Sequence, residues 1–486
     1  MYSASRAPVL CVPVCRAAAD RDTVDLELGF DTIGNATLIA YDRVPVLATD
    51  PWLDGDAYFG SWRLSHAVPD EQRAAVMQSR YIWLSHGHPD HMHMPSLAAL
   101  RDKIILLPDH AGGRIRKFLT DEGFRVEVLV DRTWRSLSPR VRVYCIADFN
   151  QDATLLVDID GTLVIDANDA SERGWRETVR RFARRSKTTF LLALSGYGNA
   201  DMINYFDESG DRVLPYAAKK TPLGPLIDAR MERLGARYFV PFASHHCYQR
   251  SDSVWANEYI TPIKDHANGF TSTAREILPA FIRYDVMRDE ANPLSPPAPQ
   301  LVVHEPGEFG DDWDEPLAPP DVDLARAYFG AIQTLQGEVD AIELHVANER
   351  HLIDIGSGSG RTVTFEVPRH SLVQAMQWEF FDDLLIGNFM RTTLHGVWPG
   401  NSLNPTFTAP VTKYADNGGA KTPAELRRYF AEYRKRAHLD YFRYRLAERR
   451  AASVRVAAAR IRATVKDGSV AHRMGRRAYT RLRKGS

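Results

Sequence analysis

The 486-residue sequence has no run of about 20 apolar residues, so it offers no membrane-spanning helix. Its start, MYSASRAPVLCVPVC, holds a short apolar run broken by Pro8 and Pro13 rather than the continuous core of a signal peptide, and a cytoplasmic location is expected. Cysteine is scarce: the four at 11, 15, 145 and 247 are too few to staple a chain of this length, which points to a reducing compartment. Cys11 and Cys15 lack the neighbouring Cys or His that zinc or iron–sulfur spacing requires. No repeat recurs at a solenoid period. A net charge of −1 argues against a nucleic-acid-binding surface over the whole chain.

That near-neutral total conceals an imbalance. Residues 424–486 carry 19 Lys+Arg and 5 Asp+Glu, a tail of +14 on a body of −15. The 44% apolar and 25% charged fractions are those of an ordinary folded protein. Short apolar runs alternate with helical stretches: KIILLP, RVEVLV, RVRVYCIAD, TLLVDIDG, TLVIDAND, TFLLALSG and RYFVPFAS read as strands, AGGRIRKFLTDEG, GWRETVRRFARRS and DARMERLGA as helices. The alternation predicts an α/β architecture with buried sheets. Nine prolines between 279 and 320 read as a linker or extended wrap. The expected division is an N-terminal arm (1–29), a catalytic domain (30–278), the Pro-rich linker (279–320), a small α+β domain (321–423, with 371–394 helical) and a basic helical tail (424–486).

The chemistry concentrates in LSHGHPDHMH, residues 84–93. His86, His88, Asp90 and His91 fall on six consecutive positions after a buried-type strand. Burying so many titratable groups costs several kcal/mol unless strong partners satisfy them, and a metal is the usual partner. In an extended turn His86 and His88 point one way and Asp90 and His91 another, so one loop can feed two metal sites. His93 and His110 read as supporting residues.

The run S-H-x-H-x-D-H resembles the signature of the metallo-β-lactamase fold. Asp50 in VLATDPWL resembles that superfamily's first acidic position. LVIDANDA places Asp169, with Asp166 as competitor, where a bridging aspartate stands. VPFASHHCY places His245 and His246 where the last histidine ligand stands; only one can face the metals, and His245 is preferred. The resemblance implies an αββα sandwich. GNATLIAY, ATDPWLDGDAYFGSW and DATLLVDIDGTLVIDANDA look like the lactamase-fold part of CMP-N-acetylneuraminate hydroxylase and its bacterial relatives, and WDEPLAPP and WEFFDDLLIGNF continue the likeness more weakly. That family carries a Rieske domain built on two Cys-x-His pairs, which this sequence lacks; an oxygenase reading therefore implies an external donor such as a ferredoxin-type reductase. Where the superfamily has its third histidine, this chain reads IADFNQDATLL. Asp148 falls at that position with Asp152 close by, which favours iron or manganese over zinc and is similar to the diiron β-hydroxylase of chloramphenicol biosynthesis. The resemblance implies His86, His88 and Asp148 on one metal, Asp90, His91 and His245 or His246 on the other, and Asp169 between them, with Asp90 and Asp169 as candidate catalytic carboxylates.

Two chemistries stay open: a diiron oxygenase using O2 on a nucleotide-sugar-like or carrier-bound substrate, or a zinc hydrolase cleaving an ester, lactone or phosphodiester. Tyr197, Asn199 and Tyr205, in a Gly- and Asn-rich loop after a strand, are candidates for the pocket rim. LIDIGSGSG, residues 352–360, matches a methyltransferase glycine motif, but RTVTFEV after it favours strand, so a hairpin with a Gly-Ser turn is expected. The basic tail has three candidate engagements: the acidic body, an acidic partner such as a carrier protein or anionic membrane surface, or nucleic acid, for which base-reading motifs are missing.

Overall fold

The computed structural model describes residues 26–172, 174–197, 202–446 and 449. The runs that read as uniformly apolar in sequence become strands covered on both faces. Ala153–Ile159 and Thr162–Asn168 are buried almost throughout, the pattern of a sheet with layers on each side. Alternation then assigns the faces. Leu155, Val157, Val164 and Phe190 point to an inner core shared with Phe30, Leu38, Leu47 and Trp83 of a second sheet. Leu156, Leu163, Ile165 and Leu191 point outward, beneath the helices Arg176–Ala183 and Gly224–Leu234. On the far side Ile39, Ala48, Ile82 and Ile105 lie beneath the helices Asp70–Gln78, Met94–Ala98 and Arg114–Asp121. The result is the expected αββα sandwich.

One sheet has eight strands, ordered Glu290–Pro293, Ile282–Asp285, Leu28–Ile33, Thr37–Asp42, Val44–Thr49, Tyr81–Trp83, Ile104–Leu107, Arg125–Val128; the other has seven, from Glu276–Ile277 to Trp134–Ser136. Both combine an antiparallel meander with a parallel section. Val44–Thr49, Tyr81–Trp83 and Ile104–Leu107 run parallel, as do Thr162–Asn168, Thr188–Ala193 and Tyr238–Pro241. Ligand sites in such sheets form beyond the carboxyl ends of parallel strands. Here those ends carry Asp50, Ser85–His91, Asp169, Leu194–Gly196 and Ala243–His246.

The structure revises the expected linker. Residues 282–293 form the two outermost strands of the eight-stranded sheet, with Ile282–Asp285 paired antiparallel to Leu28–Ile33. Pro279 precedes this hairpin, Pro293 ends its second strand, and the other seven prolines follow it. A second unit is built on a five-stranded sheet, ordered Tyr205–Phe206, Arg391–His395, Thr362–Glu366, Ala341–Val346, Glu349–Asp354. Its first strand comes from the loop of the first unit that read as a pocket rim, and Tyr205 lies in the second unit's core with Leu344, Phe365 and Phe381. Residues 391–395, expected to be helical, form a strand because Thr392 and Leu394 are buried in that sheet. The glycine motif does connect two strands, but not as a hairpin: Glu349–Asp354 and Thr362–Glu366 lie on opposite sides of Ala341–Val346. The Asp340 carboxylate accepts the N–H groups of Ser359 and Gly360, which gives this loop a structural partner.

The described part of the basic tail packs on the first unit. Thr422 and Glu425 form a capping box that starts the helix Pro423–Ala437. Its buried Tyr429 and Tyr433 pack with Ala111 and Ala147. The Tyr429 hydroxyl donates to Phe149 O (2.6 Å), and that of Tyr433 accepts from the Ala111 N–H (3.1 Å). Asp440 pairs with Arg132 at 3.0 Å. The N-terminal arm up to residue 25, Cys11, Cys15, Asn199 and most of the tail lie outside the described residues.

Candidate metal centre

The turn after Tyr81–Trp83 brings His86, His88, Asp90 and His91 together, with His88 the least buried of the four. Hydrogen bonds behind the rings decide which ring nitrogens carry protons. The Asp50 carboxylate accepts three bonds: from the Ser85 N–H (2.7 Å), from the Ser85 hydroxyl (2.7 Å) and from His91 Nδ1 (2.9 Å). Burial raises its pKa, and these three donors oppose that rise. The Ser85 proton being committed to Asp50, Ser85 Oγ accepts from His86 Nδ1 at 2.9 Å. His86 therefore presents the lone pair of Nε2 inward, and His91 likewise presents Nε2.

These inward atoms meet one another. His86 Nε2 lies 2.8 Å from His88 Nδ1, and 3.8 Å from Asp169 Oδ2. His88 Nε2 faces Asp382 Oδ2 at 3.0 Å, so it carries the proton and Nδ1 is another lone pair. His91 Nε2 lies 3.3 Å from Asp90 Oδ2 and 3.4 Å from Asp169 Oδ2. Lone pairs and carboxylate oxygens thus converge, an arrangement that is repulsive unless a cation, a proton on His91 or a metal ion, lies among them. Asp169 Oδ1, His91 Nε2 and both ring nitrogens of His246 are buried with no aligned hydrogen-bond partner among the described residues. Such orphaned atoms cost roughly 1–3 kcal/mol each when left unsatisfied. The donor set fits metal ions. His86, His88 and Asp169 would hold one, and Asp90, His91, Asp169 and His246 the other.

Electrostatics agree. Burial opposes protonation of His91, but Asp90, Asp169 and Asp50 outweigh it and hold its pKa well above the usual imidazole range; a metal would displace that proton. Burial, with the charge of His91, pushes His86 well below its ordinary value. Burial lowers His246 to about 3, so its ring is neutral. The His246 ring is stacked flat on Trp62 with centroids 3.4 Å apart, which fixes its orientation. Asp90 is steadied by Asn35 Nδ2 (2.8 Å) and the Tyr58 hydroxyl (2.5 Å). Asp50, Tyr58, Asn168 and Ala243 all have left-handed backbone, and such strain gathers where a fold over-determines a site.

Several expectations change. The preference for His245 is reversed: it turns away, with Nε2 bonded to Pro241 O at 3.0 Å and its ring against Phe281, while His246 lines the pocket. Asp148 stays outside the group that His86, His88 and Asp169 form. Its Oδ1 accepts the N–H groups of Asn150 (2.7 Å) and Asp152 (3.4 Å), closing the turn of residues 148–152. Asp152 in turn accepts from Asn150 Nδ2. Asp169 rather than Asp166 reaches the histidines; Asp166 is fully buried beside Asp50, which with burial drives its pKa up. His93 caps the helix Met94–Ala98, and His110 Nδ1 bonds Tyr433, as supporting residues. Tyr197 bonds Asp265 at 2.9 Å and leaves the rim to Leu194, Ser195 and Gly196.

Three residues escaped the sequence reading: Asp382, Asp383 and Lys413. Asp382 and Asp383 begin the short helix Asp382–Ile386. Lys413, from the π-helix Ala409–Asn417, lies 3.8 Å from Asp382. Burial opposes its charge, but Asp152, Asp382, Asp169 and Asp148 outweigh it and raise its pKa. The only signal in sequence was a pair of acids inside an apolar stretch, WEFFDDLLIGNF. The pocket itself is a cavity of about 90 Å³ bounded by Tyr58, Trp62, Ile260 and Ile386. A larger cavity, about 590 Å³, lies between the second unit and the basic helix; among the described residues no histidine or carboxylate lines it.

No protein-family model matches the chain. It is 26% identical over 165 residues to the cytidine monophosphate-N-acetylneuraminic acid hydroxylase of Danio rerio, covering 32% of this chain and 28% of the relative. It is 22% identical over 287 residues to that of Macaca mulatta, covering 54% and 47%. The chain thus spans less than half the length of these curated relatives. Similar solved structures include a diiron β-hydroxylase, CmlA, of Streptomyces venezuelae (TM-score 0.34, 13% identity, 53% of this chain and 54% of that one). They also include a metallo-β-lactamase-fold protein of Bacillus subtilis (TM-score 0.31, 12% identity, 52% and 96%). Two facing sheets between helical layers, with the histidine and aspartate donors at their shared edge, make this a chain of the metallo-β-lactamase fold that is similar over about half its length to the CMP-N-acetylneuraminic acid hydroxylases.

Proposed function

We propose that the chain is a dinuclear-metal enzyme, and that it is an oxygenase rather than a hydrolase. The supporting observation is the number of carboxylates around the convergent lone pairs: Asp90 and Asp169 among the histidines, with Asp382 and Asp383 against His88. So much hard oxygen favours iron or manganese over zinc. Asp148 was the extra carboxylate expected from sequence; this reading draws it instead from Asp382 and Asp383 beside His88.

A diiron pair would supply dioxygen activation. Hydroxylation of a C–H group consumes one O2, two electrons and two protons and releases one water, so a reductase of ferredoxin type must deliver the two electrons. The protein's part is to hold and to exclude. Asp50, Ser85 and Trp62 fix the histidine rings, while Asn35 and Tyr58 fix Asp90. Leu194, Ile260 and Ile386 supply apolar surface to the pocket lining. About 90 Å³ is room for roughly three waters, far below the ~300–1,000 Å³ of a pocket enclosing a whole small molecule. Only the reacting end of a substrate enters. The names of the relatives suggest a nucleotide sugar; a carrier-bound substrate also presents one small end.

Four imidazoles at one centre also suit zinc, which would lower the pKa of a bound water toward neutrality for hydrolysis of an ester, lactone or phosphodiester. One preparation separates the two. Protein purified aerobically should contain about two irons per chain and absorb visible light. Two zincs in a colourless sample with esterase turnover would overturn the oxygenase reading.

A further inference from the structure

Asp382 and Asp383 reach the metal centre from a separate sheet-and-helix unit, 294 residues along the chain from His88. The contact is firm. Ser61 Oγ donates to Gly387 O at 2.6 Å, and Asn388 Nδ2 donates to the Tyr248 hydroxyl at 2.7 Å. These bonds seat the end of the helix Asp382–Ile386 against the first unit, and Ile386 lines the pocket beside it.

Asp382 does for His88 what Asp50 does for His91. Its carboxylate only accepts, so the 3.0 Å contact places the proton on His88 Nε2 and turns the Nδ1 lone pair toward His86. Lys413, 3.8 Å away, supports the ionised form of Asp382. Asp383 is about nine-tenths buried; its Oδ1 has no hydrogen-bond partner among the described residues, and the carboxylate stands within 4.8 Å of the facing atoms of His88 and Asp382. A charged oxygen buried beside a second carboxylate is unfavourable unless a cation or proton joins it.

Resting on the metal-centre reading above, we propose that the second unit completes that centre: Asp382 is the positioning residue that sets the tautomer of His88, and Asp383 is an additional oxygen ligand to the ion His88 holds. The site is therefore assembled only when the two units are docked.

The test is titration of the metal-free full chain with Co2+, followed by its visible spectrum, with His91→Ala as the control that breaks the first unit's own ligands. Asp382→Asn should weaken Co2+ binding about 10–100-fold, as removal of a group behind a ligating histidine does, and Asp382→Glu should recover part of the loss. Asp383→Asn should weaken binding by about tenfold and shift the Co2+ bands, since a ligand oxygen is changed. Thermal melting of the metal-free variants confirms folding, and Asp383→Glu replaces any variant that fails it. If the wild type binds Co2+, His91→Ala does not, and both aspartate variants titrate like the wild type with unchanged spectra, the proposal is overturned while the metal centre stands. A wild type that binds no Co2+ overturns the metal-centre reading and this one with it.

Discussion

The two walls of the pocket are built on opposite plans. On one side the donors come from a ten-residue loop and from strand ends beside it, and their supports are equally near: Ser85 adjoins His86, and Asp50 ends the strand paired with the one that precedes the loop. On the other side Asp382, Asp383 and Lys413 arrive from a different folded unit and touch the centre only through docking. The first wall is fixed by local backbone geometry. The second is conditional on an interface, and it brings most of the extra negative charge. On the proposal above, a centre divided in this way has most of its ligands in one unit, and a positioning carboxylate and one further ligand in the other.

The strongest way to break that contrast is to remove a first-wall donor. His91→Ala should abolish metal binding, a loss of 100-fold or more, and should also destabilise the fold by roughly 3–5 kcal/mol, because Asp50, Asp90 and Asp169 lose their shared partner. Metal analysis after dialysis with chemical denaturation reads both; wild-type metal content in this variant would remove the loop from the centre.

Next comes the pair at 245–246, neighbours with opposite fates. His246→Ala should weaken metal binding about 10–100-fold. His245→Ala should leave binding unchanged and cost about 1 kcal/mol for its hydrogen bond to Pro241 O, together with some packing against Phe281. Equal metal affinities in the two variants would show that neither histidine is a ligand.

Acid should weaken the first unit through the buried neutral histidines. His245 and His110 are each lowered by burial to about 4. Between the ordinary value near 6.5 and about 4 the unfolded chain takes up protons that the folded chain refuses, so stability is present above that window and is lost as pH falls through it. From pH 7 to pH 5 each group should withdraw on the order of 2 kcal/mol in denaturation of the metal-free protein. A His245→Gln variant should flatten the slope; an unchanged slope would assign the loss elsewhere.

The smallest effect is expected at Asp148. As a turn-closing residue, its replacement by Ala should cost about 1 kcal/mol, and Asp148→Asn should alter metal affinity by less than about twofold. A tenfold loss of affinity in Asp148→Asn would restore it to the ligand set.

How much could be read without coordinates follows the same division. Strands such as TLLVDIDG and TLVIDAND were legible because burial on both faces leaves an uninterrupted apolar run. The loop at 84–93 was legible because its donors are contiguous. The choice between His245 and His246 was not, since strand alternation fixes only that they diverge, and the stacking of Trp62 picks the one that faces inward. The turn that Asp148 closes was not legible, because an aspartate after a strand serves a metal and an Asx turn equally well. The prolines after 293 masked the strand pair 282–293, whose pairing with Leu28–Ile33 spans some 250 residues.

By itself, then, the amino-acid order determined the sandwich, the histidine–aspartate loop and the division into acidic body and basic tail, because periodicity, clustering and charge are properties of neighbouring residues. Tertiary structure alone decided which His of 245–246 looks inward, that Tyr205 belongs to another unit's core, that the tail's first helix lies on the acidic body through Tyr429 and Tyr433, and that Asp382 and Asp383 stand beside His88. Each of those depends on which surfaces meet, and contact between distant segments is set by packing rather than by sequence spacing.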